Sequence, residues 1–381
     1  MRAARFNLLR LSSVKYPKIV CVGGTRPNFI KLAPLVRELD ESALECFLLH
    51  SGQHYHPTLN QAIFSDLRLR RPDQQLSPAQ LGRQERLEWF EREFREVLRR
   101  VQPDCVIVVG DVDTSLSAAR AAAKLPITIG HVEAGLRSFE ADLPEELNRV
   151  EIDGLAHVFY TTEQAANENL NREGVSSTSI KFVGNLMADA LFENLPRIPH
   201  KDFVFETRNI HCEGEYIVAT LHRGANVDSD VSLSGWASLL DRISMNIPVI
   251  WPVHPRVSSS RAKTLYREIC GRGGRVHMTD PLSYLEMLSV LRSAACIITD
   301  SGGLQDEATI LGTRCFTVRQ RTERPVTLAH GQNTLIGDCF SEIDAGLFPR
   351  ARTTNAFPMP AFWDGHAAKR ITADLTARLL S

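Results

Sequence analysis

Short runs rich in Val and Ile, each three to six residues long, recur along the chain with helical patterns between them. A run that short and that evenly apolar reads as a strand covered on both faces, because a one-sided strand would alternate polar and apolar residues. One series falls at 18–22, 105–109, 127–132, 157–161 and 181–183, and a second at 216–221, 248–253, 275–278, 296–299 and 315–318. Helices are expected at 29–39, 84–101, 115–124, 163–172, 284–293 and 366–380. In 84–101, Phe90, Phe94, Val97, Leu98 and Val101 form one stripe with Glu and Arg opposite. Gly174 stands where a helix C-cap belongs. Strand–helix–strand alternation sustained this long implies parallel sheets with helices on both faces. Ligands in such folds bind outside the carboxyl ends of the strands.

The alternation pauses over 184–202, which carries Asn185, Pro196 and Pro199, and restarts at 216. The expected organisation is α/β. Residues 1–16 form an N-terminal extension, 17–188 a doubly wound Rossmann-like domain, 189–365 a second such domain facing it across a cleft, and 366–381 a C-terminal helix. A chain of 381 residues supports two separate cores. The net charge of −1 gives no bulk attraction to nucleic acid or an anionic membrane. No stretch reaches the ~20 apolar residues of a spanning helix. The basic, acid-free start is broken by Arg10 and reads as an untethered extension, with a short transit peptide as the alternative. Eight cysteines form no C-x-x-C pair, and Cys21, Cys105 and Cys296 lie inside apolar runs. They read as core thiols in a reducing, cytoplasmic compartment, with no zinc site.

The chemistry-bearing residues follow the strands. Gly23-Gly24-Thr25-Arg26 leads from the first strand into a helix, where glycines admit a close ligand and the helix start favours an anion. A tight turn alone would look the same. Asp111 and Glu133 follow the strands at 105–109 and 127–132, which are expected to be neighbours. Side by side they would raise one another's pKa and suit proton transfer. Capping, or pairing with Arg137, is the other reading. Glu145, in Pro144-Glu145-Glu146, reads by itself as a helix-start acid. In the second half, His222 and His254 end two strands, and Asp300-Ser301-Gly302-Gly303 opens a helix after a third. Ser301, Gly302 and Gly303 could hold a phosphate there, with Glu307 further along for ribose hydroxyls. His50, His54 and His56 stand close in sequence, but on a loop and without a nearby acid, so no metal is assigned. There is no G-x-S-x-G elbow and no G-x-G-x-x-G after the first strand.

Seven ordered segments carry a family resemblance: Gly24-Thr25-Arg26-Pro27, Ser51-Gly52-Gln53-His54, Gly110-Asp111, His131-Val132-Glu133-Ala134-Gly135-Leu136-Arg137, Pro144-Glu145-Glu146-Leu147-Asn148-Arg149, Asp300-Ser301-Gly302-Gly303 and Thr322-Glu323-Arg324-Pro325. Val183-Gly184-Asn185 and Trp363-Asp364-Gly365 add to them. Together they resemble the non-hydrolysing UDP-N-acetylglucosamine 2-epimerases. The resemblance implies the two-domain GT-B type of fold, a homodimer, and inversion at C2 of a UDP-sugar by loss and re-addition of UDP without metal or nicotinamide. By position it implies Asp111, Glu133 and Glu145 as acid–base groups. It further implies His222 beside the sugar and diphosphate, Arg26, Ser301, Gly302 and Gly303 on the diphosphate, and Glu307 on the ribose. Gln53 and His54 match a region that binds a second UDP-sugar in some members. A hydrolysing epimerase, a UDP-sugar glycosyltransferase and a UDP-sugar-binding protein without catalysis are the competing expectations. Asn28, Asp113, the segment 75–86 and Gly224-Ala225 depart from the family pattern. These departures bear on the sugar substituents recognised and on second-site activation.

Overall fold

The computed structural model describes residues 16–53, 57–78, 81–255, 257, 261, 264, 265, 267–269, 274–352 and 357–380. His54 and, apart from Tyr16, the expected N-terminal extension lie outside the described residues. The apolar runs form two parallel sheets. The first contains β1 (Lys18–Gly23), β2 (Glu45–His50), β3 (Gln74–Gln75), β4 (Cys105–Val109), β5 (Thr128–Val132), β6 (Val158–Thr161) and β7 (Ile180–Phe182), in the order β3-β2-β1-β4-β5-β6-β7. The second contains β8 (Ile217–Thr220), β9 (Val249–Pro252), β10 (Val276–Thr279), β11 (Cys296–Thr299), β12 (Cys315–Thr317) and β13 (Asn333–Leu335), in the order β10-β9-β8-β11-β12-β13. Both are doubly wound and Rossmann-like. The strand order reverses at β1/β4 in one and at β8/β11 in the other, so a crevice opens beyond those carboxyl ends.

Each sheet is covered on both faces, which is why its strands read as continuous apolar runs. In the first, Phe90, Phe94 and Leu98 cover one face, and Phe29, Leu32 and Val36 the other. In the second, Trp236, Leu240 and Trp251 oppose Tyr216, Val290 and Leu291. Cys21, Cys105 and Cys296 are buried free thiols.

Three strands, β2, β3 and β13, lie outside the expected set. β2 opens with an exposed Glu45 and two half-buried residues, and the others are two or three residues long, too short to show a period. Helices Pro57–Asp66, Leu186–Asn194, Lys201–Thr207 and Asp230–Ser244 were also not expected. Leu186–Asn194 replaces the pause, and the expected junction after residue 188 falls inside it. Among its residues only Glu193 is exposed, so it lacks the broad polar face that gives an amphipathic helix its period. Asn185 caps it, accepting from the Met187 N–H at 2.9 Å. The last helix, Ala367–Leu380, packs on helices Arg26–Asp40 and Leu186–Asn194. Asp189 receives its first amides, Ala367 N–H at 3.1 Å and Ala368 N–H at 2.8 Å. The Trp363 indole donates to the Thr162 carbonyl at 2.9 Å, and Tyr160 Oη to Asp374 at 3.0 Å. The chain thus returns to the first domain after completing the second.

Candidate active site

At the first switch point, Asn28 fixes the turn after β1. Its carbonyl accepts from the Gly24 and Thr25 amides, each at 3.2 Å, and its amide donates to the Val109 carbonyl at 3.0 Å. The departure at 28 therefore has a structural role. β4 and β5 are adjacent, with Val109 opposite Val132, so Asp111 and Glu133 leave neighbouring strand ends as expected.

The upward shift expected of the pair is not found at Glu133, because the two carboxyl groups are drawn to different cations. Asp111 accepts from Arg149 at 2.5 Å. Glu133 is buried and bonded to Lys31 on one oxygen and to Arg324, at 3.1 Å, on the other. Burial opposes its charge, but the two cations overcome that and hold it down at about 2. Glu133 stays an anion at neutral pH because its nearest partners are cations, one from each domain. Arg137 plays no part in this; it pairs with Asp153 and Glu173.

Glu145 is exposed on the first turn of helix Pro144–Leu155. Among the described residues it bonds neither Asp111 nor Glu133. Its buried neighbour Glu146 shapes the loop instead, accepting from the Ser138 and Phe139 amides, both at 3.0 Å, and from Arg149. Asp113 is matched by the other departure. Arg83 at 2.9 Å and Arg86 at 3.1 Å, from helix Arg83–Val101, both pair with it. The added acid and the altered 75–86 segment thus compensate one another. Gln53 accepts from the Thr114 amide at 3.0 Å, at the start of helix Asp113–Ala123.

At the second switch point, buried Asp300 organises the end of β8. It accepts from His222 Nδ1 at 2.6 Å, the Arg223 amide at 2.9 Å and the Asn226 side chain at 2.9 Å. Burial works against its charge, and His222 with these donors keeps it at about 2. A His222 proton shared with Asp300 leaves Nε2 to face outward. Ser301 caps helix Gly302–Leu311. Further along it, buried Asp306 and Glu307 are pushed up to about 6 and about 8, mainly by burial. Arg26 reaches across from the first domain to donate to the Leu282 carbonyl at 2.9 Å, and its charge is felt at Glu307.

Sequence reading missed Lys31, Asp306 and Glu163. Lys31 carried a signal: it is a charged residue among Phe29, Ile30, Leu32 and Ala33 on a buried helix face. Glu163 is the N-cap of helix Gln164–Arg172 and Asp306 lies beyond the first turn of helix Gly302–Leu311, and nothing local in the sequence marks either as functional. Carboxylates, cations and a helix start thus meet at the switch points of the two sheets, an arrangement whose chemistry suits an anionic ligand.

The sequence profile of the family described as UDP-N-acetylglucosamine 2-epimerase matches residues 37–376. A UDP-N-acetylglucosamine 2-epimerase of Methanococcus maripaludis is 37% identical over 357 residues, covering 93% of this chain and 97% of its own. A UDP-2,3-diacetamido-2,3-dideoxy-D-glucuronate 2-epimerase of Pseudomonas aeruginosa is 32% identical over 324 residues, covering 84% and 88%. The crystal structure of the Methanocaldococcus jannaschii UDP-GlcNAc 2-epimerase in complex with UDP-GlcNAc and UDP matches with a TM-score of 0.87 at 34% identity, covering 94% and 99%.

Proposed function

Because the chain belongs to the UDP-N-acetylglucosamine 2-epimerase family, we propose that it inverts C2 of UDP-GlcNAc, or of a related UDP-2-acetamido sugar, by eliminating and re-adding UDP. In the elimination the C2–H bond gives its proton to a carboxylate, and the C1–O bond gives its electron pair to the departing UDP. A C1=C2 double bond forms. Re-addition of UDP with protonation on the opposite face yields the epimer. Such chemistry needs an ionised acceptor on one face and a second acid–base group on the other.

The observation that carries the reading is Glu133, fixed as an anion between Lys31 and Arg324 where the two domains meet. Glu133 takes the proton, and Asp111 and Glu145 serve the other face. His222 Nε2, Arg26, Ser301, Gly302 and Gly303 receive the diphosphate, whose growing charge suits fixed N–H donors and Arg. Glu307 receives the ribose. The working form in this proposal is a cytoplasmic homodimer. Among the described residues no helix is long and apolar enough to cross a membrane.

Incubation with UDP-GlcNAc in D2O, followed by NMR, tests the reaction. UDP-ManNAc carrying deuterium at C2 is expected. Free ManNAc would instead identify a hydrolysing enzyme. Unchanged UDP-GlcNAc with turnover of a UDP-2,3-diacetamido uronate would move the substrate to that of the Pseudomonas relative. No turnover of either would leave a binding protein.

A further inference from the structure

Arg324 stands at the seam between the domains, and its guanidinium meets both. One terminal nitrogen donates to Glu133 Oε1 at 3.1 Å, and the other lies 3.1 Å from Asp306 Oδ2 on helix Gly302–Leu311. Its third donor, Nε, is buried and has no partner among the described residues. A Cβ placed on Gly302 would lie 3.1 Å from that Nε and 2.5 Å from Glu323 Oε1. The loop after β12 therefore packs directly on the Ser301-Gly302-Gly303 turn, and a side chain at 302 would displace Glu323 or Arg324. The same loop ties into the first domain elsewhere. Arg319 pairs with Glu140 at 3.3 Å, and Arg321 donates to the Phe139 carbonyl at 3.3 Å.

Desolvated guanidinium N–H groups normally find an acceptor, and an orphaned one beside a helix start faces an anion position. We propose that Arg324 is a further catalytic residue, which joins the two halves of the elimination by holding Glu133 through one nitrogen and receiving the leaving diphosphate through Nε. This rests on the epimerase reading. Before reaction, the Arg324 charge is committed to Glu133 and Asp306. As the C1–O bond breaks, the electron pair moves onto the departing diphosphate and draws on the same guanidinium. The hold on Glu133 loosens as its carboxylate takes the C2 proton. One cation thus serves base and leaving group in turn. The charged groups facing Glu133 are Lys31 from helix Arg26–Asp40, Arg324 from the loop after β12, and Asp306 from helix Gly302–Leu311. Arg324 also faces Glu323 and Asp111. Lys31 touches only the other oxygen of Glu133, so it cannot play the same part.

The test compares Arg324→Gln and Arg324→Lys with wild type, and uses Arg319→Gln as a loop control. Turnover of UDP-GlcNAc is followed across pH, UDP affinity by calorimetry, and the Glu133 carboxyl by the infrared band that Glu133→Gln removes. Arg324→Gln is expected to cut kcat by about 10²-fold or more, weaken UDP roughly tenfold, and move the acid limb and the Glu133 band upward by about one pH unit or more. Arg324→Lys keeps the charge, so it restores the acid limb while kcat stays at least about tenfold low. Arg319→Gln leaves both the acid limb and the band where they are in wild type. An Arg324→Gln protein with slower turnover but wild-type acid limb, band and UDP affinity overturns the proposal. If the wild type itself leaves UDP-GlcNAc unchanged, the epimerase reading fails. The assignment of Arg324 then stands or falls on UDP affinity and the infrared band, which need no turnover.

Discussion

Lys31 illustrates how a single side chain can be costly for the fold and necessary for the site. A lysine inside an apolar helix face loses its hydration and is tolerated only where a carboxylate meets it; here that carboxylate is Glu133. Glu133→Gln, Asp111→Asn and Glu145→Gln are each expected to reduce epimerisation by at least about 10²-fold while UDP still binds. A variant with near wild-type turnover would remove its residue from the mechanism. Buried Glu163 makes the opposite case. Burial pushes it up to about 8 despite the pull of Arg324 and of the Val326 backbone N–H. Unfolding lets it ionise at an ordinary carboxyl pKa, roughly 4.3. Its contribution to stability is therefore whole below that pH and is lost as pH rises towards 8. Glu133 and Asp300, both held near 2, act in reverse, and their contribution disappears as pH falls from ordinary carboxyl values towards 2. Glu163→Gln should raise the melting temperature at alkaline pH and flatten its decline. A variant that melts below wild type at both mildly acid and alkaline pH would contradict this. Asp111 and Glu133 were legible in the sequence because each follows an apolar run, whereas Glu145 was marked only by the family resemblance. The ionisation of Glu133 was not legible, since it depends on Lys31 and Arg324, 102 and 191 residues away.

At the scale of elements, strands buried on both faces announced themselves, and the best marked, β4 and β11, begin and end where expected. What stayed hidden was structure without a one-sided pattern: the helix Leu186–Asn194, buried except at Glu193, and the very short strands. The link into that helix depends on one backbone position. Gly184 has φ +92°, and a Cβ there would collide with the Phe362 carbonyl. Gly184→Ala should cost about 2 kcal/mol or more, since it combines a left-handed φ with a steric clash. Thermal or urea denaturation reads this directly, and an unchanged melting temperature would show that the clash is relieved elsewhere. Loss of UDP affinity should follow only as far as folding is lost.

Across the whole molecule, the two domains are joined by an apolar cluster, to which Tyr284, Leu285, Leu288 and Ile310 of the second belong with Phe29 and Ile63 of the first, and by a set of polar contacts. Asp66 of the first domain accepts from the Tyr284 and Leu285 amides at 2.8 and 3.3 Å, capping a helix of the second. Asp66→Ala should lower stability by about 1 kcal/mol and raise KM for the UDP-sugar more than it lowers kcat, because no reacting group is touched. An unaltered KM would place domain docking elsewhere. That two Rossmann-like domains face one another was legible from the alternation. Which side chains cross the gap was not, because such pairs leave no periodic trace.

Helix Ala367–Leu380 follows the second domain in sequence yet packs on the first. During synthesis the first domain therefore stays uncovered on that face until the second has been made. The later domain has all its strands and can mature first. Fragments that stop shortly after residue 200 would leave Tyr160 and the face of helix Arg26–Asp40 uncovered. Apolar surface left open in this way favours aggregation, so the two domains depend on one another to be completed.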